Sequence, residues 1–126
     1  MGGDFKNLAV WCMAHELALH SHRVATQIRG AQYLSLRSQI IRASMSIAAN
    51  IVEGRAQRSE REFGRFLTYA ISSSSELEYH LIVARDIRVV SEEETHLILD
   101  ELLRVRKMLH GLLNKLPTKP APKSAK

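Results

Sequence analysis

Ser46-Ile47-Ala48-Ala49-Asn50-Ile51-Val52-Glu53-Gly54-Arg55 reads SIAANIVEGR, a largely apolar stretch that still carries an Asn, a Glu and an Arg. On a helical wheel at about 100° per residue, Leu36, Ile40, Ala43, Ser44, Ile47 and Ile51 fall on one broad face. That face predicts the core side of a long helix from about Tyr33 to Glu53, with Gly54 as the residue that ends it. Gln39, Arg42, Ser46, Asn50 and Glu53 share the other side at steps of three, four, four and three. The polar groups of the stretch therefore belong to one continuous stripe.

Working outward, three more helices emerge. Two capping boxes mark helix starts: Ser59 with Glu62, and Ser91 with Glu94. They open helices predicted over about residues 60–87 and 92–116. The last of these has the cleanest apolar seam, Ile98, Leu102, Val105, Leu109, Leu112 and Leu116, at alternating steps of four and three. Upstream, Leu8, Trp11, Ala14, Ala18, Ala25 and Ile28 recur near helical spacing and predict a helix from about Phe5 to Ile28, ended by Gly30. Four long helices joined by short turns predict an all-α, up-down-up-down four-helix bundle over residues 1–116. The remainder, residues 117–126, holds all three prolines and no apolar period, and a disordered basic tail is expected there.

Composition agrees with one domain. The chain has 126 residues, 45% of them hydrophobic, enough for a real core. Its formal charge is +5, but Lys119, Lys123 and Lys126 supply three of those charges from the tail, leaving the body at +2. The single cysteine, Cys12, forbids an intramolecular disulfide and fits a reducing compartment. The opening MGGDFK reads neither as a secretory signal nor, with Lys6, as a myristoylation motif. No apolar run of about 18 residues is present, so no membrane association is expected. These features predict a cytoplasmic protein.

The third helix repeats the two-faced pattern. Phe63, Leu67, Ala70, Ser74, Leu77 and Leu81 form an apolar face, while Glu62, Arg65, Tyr69, Ser73, Glu76 and His80 form a polar stripe. Two readings fit both stripes: solvated faces, or surfaces packed against another subunit. Gln, Asn, Ser and Tyr in place of the usual Lys and Glu favour the second. It requires partners for every buried polar group, since each orphan costs about 1–3 kcal/mol.

Catalytic chemistry finds little support. His15, His20 and His22 lie close together in helix one, yet none makes the i, i+4 pair of a zinc helix. His15 and His22, seven apart, do share a face on which a metal could sit, but solvated or half-buried histidines are the simpler account. Cys12 has no adjacent base to activate it. Glu53 and Glu76 are a conceivable carboxylate pair across helices two and three, but a structural network with Arg42 is the simpler account. No phosphate loop or catalytic triad is legible, so no enzyme, cofactor or metal is expected. The basic cluster Arg55, Arg58, Arg61 and Arg65, at the turn between helices two and three, is the better site candidate, although Glu60 and Glu62 interleave it. Repeated around an oligomer, such a patch becomes a charged rim for nucleic acid. No aromatic stacking platform is evident from the sequence.

Taken together, three groups of residues resemble the four-helix bundle proteins of the large-subunit rRNA intervening-sequence family. They are FKNLAVW at residues 5–11; Gln39, Arg42, Ala43, Ser46, Asn50, Ile51, Glu53 and Gly54; and Glu62, Phe63, Phe66, Leu67, Ala70, Ser73, Glu76 and Leu77. The resemblance covers roughly residues 5–90. It implies an up-down bundle that assembles as a homo-pentamer, with Gln39, Arg42, Ser46, Asn50, Glu53, Ser73 and Glu76 as assembly residues. The accessory proteins of diversity-generating retroelements look similar in fold and bind nucleic acid through a basic surface. Two functions follow as expectations: an RNA- or DNA-binding accessory module using Arg55, Arg58, Arg61 and Arg65, or a protein-only scaffold.

Overall fold

The computed structural model describes residues 4–117, so the expected tail lies, apart from Pro117, outside the described residues. Four helices run α1 Ala9–Thr26, α2 Leu34–Arg55, α3 Glu60–Asp86 and α4 Glu92–Lys115. Short 3-10 turns, Phe5–Asn7 and Ala31–Tyr33, precede α1 and α2. Each helix packs on its neighbours in sequence and α1 packs on α4, while the diagonal pairs do not meet. The result is the up-down-up-down bundle that the periodicity predicts.

Most of the predicted core is buried, but Leu8, Trp11 and Leu36 are only half-buried, and Val10, Leu17 and Val24 of α1 are core residues that the predicted set omits. Ile40, Ile47 and Ile51 of α2, Leu67, Leu77 and Leu81 of α3, and Ile98, Leu102, Val105 and Leu109 of α4 are all fully buried. Leu112 and Leu116, the last steps of the α4 seam, are half-buried where the bundle opens. Burial of each large aliphatic side chain contributes about 1.5–3 kcal/mol, so this shared core is a main source of cohesion. The serine half of each capping box forms as expected: Ser59 Oγ accepts from Glu62 N at 3.1 Å and Ser91 Oγ from Glu94 N at 3.0 Å, while the Glu62 and Glu94 carboxylates turn instead to Arg65 and His20.

Two helix ends differ from expectation. Helix one does not begin at Phe5. Asp4 Oδ1 accepts from Lys6 N at 3.0 Å and closes a separate 3-10 turn. Leu8 then takes extended backbone, φ −82° and ψ 124°, before α1 starts at Ala9. Phe5 still packs edge-on against Trp11, ring centroids 5.2 Å apart. Gly54 does not end α2 either; the helix runs through it to Arg55, and the following Ala56 remains helical in backbone. Glycine is needed there because α3 comes so close. A Cβ on Gly54 would lie 2.8 Å from Phe66 Cβ and 2.9 Å from Phe63 Cδ1.

Polar ties cross three of the four seams. Between α2 and α3, Ser46 Oγ and Ser73 Oγ are 2.8 Å apart, and Asn50 Nδ2 donates to Ser46 O at 2.8 Å and to its Oγ at 3.1 Å. Between α3 and α4, Arg106 donates from Nε to Ser74 Oγ at 2.9 Å and from Nη2 to Glu78 Oε1 at 2.7 Å. Between α1 and α4, His20 places Nε2 2.6 Å from Glu94 Oε2 and Nδ1 2.8 Å from Glu101 Oε2. Buried Ser44 and Ser74 are satisfied by donating to the carbonyls of Ile41 and Ile71, three residues back.

Candidate nucleic-acid interface

The α2–α3 turn presents the arginine cluster, and the structure divides its four members by what they touch. Arg55, half-buried at the end of α2, lays its guanidinium 5.9 Å from the Phe63 ring centroid. Its Nε is buried without a hydrogen-bond partner. Arg58 in the turn and Arg61 in the first turn of α3 are exposed, and among the described residues neither forms an ion pair. Arg65 is exposed but committed: its Nε and Nη2 donate to Glu62 Oε1 at 3.0 and 2.8 Å. Its Nη1 donates to the Tyr69 hydroxyl at 2.7 Å. Of the two acids that interleave the cluster, Glu62 is thus neutralised by Arg65, leaving Glu60 against Arg55, Arg58 and Arg61. The patch keeps a positive surplus.

Arg65 also organises aromatic surface that the sequence reading missed. Its guanidinium carbon lies 5.2 Å from the Phe66 centroid and 5.5 Å from the Tyr69 centroid. The two rings meet edge to face, 5.5 Å apart at 82°. The signal was present in sequence as Arg65 and Tyr69 at i, i+4, a spacing that puts side chains in contact on a helix. A shallow cleft of about 450 Å³ adjoins the strip, lined by Arg61, Glu62, Gly64, Arg65, Thr68 and Leu113.

The polar stripe separates into a centre and two ends. Ser46, Asn50 and Ser73 converge on one another in the α2–α3 seam, so their hydrogen bonds are met within the chain. Gln39, Arg42, Glu53 and Glu76 are exposed. Among the described residues Arg42, Glu53 and Glu76 form no side-chain hydrogen bond or ion pair with one another, so the expected Arg–Glu network is absent from the single chain. The histidines do different work from one another. His15 stacks on Trp11 at 4.9 Å and 7° and, with His22, also lines an apolar groove with Leu19, Met45 and Ala48, whereas His20 bridges to α4. Among the described residues no three His, Cys, Asp or Glu side chains are grouped to hold a metal ion. The exposed Cys12 thiol lies 3.5 Å from the Lys6 carbonyl. Among the described residues no helix is long and apolar enough to cross a membrane.

Fold and surface together define a class: an all-helical bundle with polar bridges between its helices and a cationic, aromatic strip at one turn. The chain belongs to the 23S rRNA-intervening sequence protein family, whose model matches residues 6–111. It is similar to a solved structure from Bacteroides thetaiotaomicron, a protein with unknown function from the S23 ribosomal protein family. The TM-score is 0.80 at 23% identity, over 85% of this chain and 100% of that one. At that identity the likeness concerns the fold alone. A comparison with curated proteins gives no match.

Proposed function

We propose that this chain is a non-enzymatic, homo-oligomeric accessory protein of the cytoplasm that binds RNA through the α2–α3 turn. The supporting observation is the pair Arg58 and Arg61, exposed guanidinium groups without an acidic partner among the described residues, in a turn that keeps surplus positive charge. Guanidinium is the side chain best matched to phosphate oxygens. The family's association with rRNA genes makes RNA the natural ligand. Copies of the turn arrayed in an oligomer multiply a weak contact into a useful one.

The test is fluorescence anisotropy of the full chain with labelled RNA across a salt series. Two phosphates per chain give a log–log slope of about −1.8 on a duplex, multiplied by the number of chains engaged. Arg58→Glu with Arg61→Glu should weaken binding at least about 10-fold and flatten that slope. Unchanged affinity and slope would sink the reading.

A protein-only scaffold is the second reading, supported by a different observation. Leu19 is 41% and Met45 57% exposed, and they line the apolar groove between α1 and α2. A second copy of the chain would cover it. Sedimentation of the same samples separates the two: an oligomer that ignores RNA favours the scaffold, and a monomeric mass removes assembly from both readings.

A further inference from the structure

The strip along the outer face of α3 changes character with position. Arg58 and Arg61 are exposed and, among the described residues, carry positive charge with no ion-pair partner. Arg65, one turn further, is paired, because Glu62 already holds it. A phosphate gains little from a guanidinium neutralised in this way. What Arg65 supplies is planarity: clamped by Glu62 and by the Tyr69 hydroxyl, it is fixed beside the Phe66 and Tyr69 rings. Tyr69 remains 41% exposed. An aromatic ring held rigid by a bound guanidinium, yet open to solvent, has lost its freedom before any ligand arrives, which lowers the cost of stacking on it. The distance from Arg61 to Tyr69 is eight helical residues, about 12 Å along the axis, a span of a few nucleotides.

We propose that this strip recognises an unpaired, single-stranded stretch of RNA, with Arg58 and Arg61 on two backbone phosphates and one base stacked on Tyr69. The proposal rests on the RNA-binding reading and deepens it by naming the form of RNA. A duplex hides its base faces inside the stack and is held through shape and phosphates, so it has no use for the Tyr69 ring. A single strand can turn a base out onto an aromatic face, and does so with little sequence preference. Arg65 and Phe66 act as positioning residues that hold the Tyr69 ring; Glu62 belongs to the clamp and, being paired, does not repel the strand.

The experiment compares a labelled oligouridine with a fully paired RNA duplex of the same length, both titrated with the full chain. Wild-type protein should bind the single strand more tightly. Tyr69→Ala should weaken oligouridine binding about 10-fold or more and leave duplex binding unchanged. Tyr69→Phe, which keeps the ring and loses only its hydroxyl, should retain most of the single-strand affinity. The position is exposed, so thermal melts of both variants should match the wild type. The outcomes separate cleanly. If Arg58→Glu with Arg61→Glu abolishes binding while Tyr69→Ala leaves oligouridine affinity unchanged, base stacking is overturned and the charge-based reading stands. If neither RNA is bound, or charge reversal affects neither, the RNA-binding reading falls and this proposal with it.

Discussion

A methyl group at position 54 has no room. The nearest atoms, Phe66 Cβ at 2.8 Å and Phe63 Cδ1 at 2.9 Å, belong to rigid parts of α3 rather than to flexible side-chain ends. Gly54→Ala would gain helix propensity of up to about 1 kcal/mol but force α2 and α3 apart, and overpacking of this kind costs about 1–3 kcal/mol. The expected net effect is destabilisation of about 1–2 kcal/mol, read from urea denaturation midpoints. Gly64 is the internal comparison. A Cβ there would meet only the terminal carbons Leu116 Cδ1 and Leu113 Cδ1, at 3.3 and 3.4 Å. Those ends can rotate away, so Gly64→Ala should be close to neutral. Equal losses at both positions would refute close helix approach as the reason for Gly54. A glycine near a helix end serves either a left-handed cap or a crowded crossing. Sequence alone favoured the cap, because only the folded neighbour, Phe63 and Phe66, reveals the crowding.

At the scale of elements, what the sequence made legible was local. Caps such as Ser59–Glu62 and Ser91–Glu94, and the apolar period of α4, are written within a few residues of where they act, and they placed α3 and α4 almost to the residue. The end of α3 shows the same locality with one residue out of keeping. Val89 N donates to Ala84 O at 3.0 Å and Arg88 N to Arg85 O at 3.0 Å, the paired bonds of a Schellman cap. Arg88 occupies its left-handed position with φ 68°, where glycine is usual. That backbone costs an L-residue about 1–2 kcal/mol, while glycine carries its own entropic penalty of about 0.5–1 kcal/mol. Arg88→Gly should therefore raise the thermal midpoint by a few degrees; a lower midpoint would mean that the Arg88 side chain contributes more than its backbone strain. The candidate site was legible to the same depth. Four arginines at the turn were visible in sequence, but their division into exposed Arg58 and Arg61 without ion pairs among the described residues, Arg55 laid against Phe63, and Arg65 held by Glu62 depends on which rings and carboxylates lie beside them. The Ser46–Asn50–Ser73 convergence needed the α2–α3 packing before its hydrogen bonds could be assigned.

The whole molecule is closed by a contact no local pattern announced. His20 joins the first helix to the last, bonding residues 74 and 81 positions away. Both ring nitrogens lie within hydrogen-bond distance of carboxylate oxygens, an arrangement in which the imidazolium form donates at both nitrogens while a neutral ring could donate at only one. Its side chain is only 15% exposed. Burial alone would push its pKa down, but the hydrogen bonds that His20 donates to Glu94 and Glu101, with their charge attraction, prevail and hold it above the ordinary 6.5. Glu16 and Arg23 on α1 and Arg104 on α4 also line this cleft, with Cys12, and their opposite charges keep the surroundings mixed. The sign of the linkage follows. A raised folded pKa favours the protonated native state, so the stabilisation is complete below about 6.5 and is lost as pH rises through the folded value. Thermal midpoints measured from about pH 6 to about pH 9 should fall more steeply for the wild type than for His20→Gln, which donates hydrogen bonds but cannot titrate. Parallel curves would mean that His20 is neutral in the fold and bonded to a single carboxylate at a time. A steeper wild-type curve would assign the pH dependence of bundle closure to one side chain, because the α1–α4 seam has no other polar tie among the described residues.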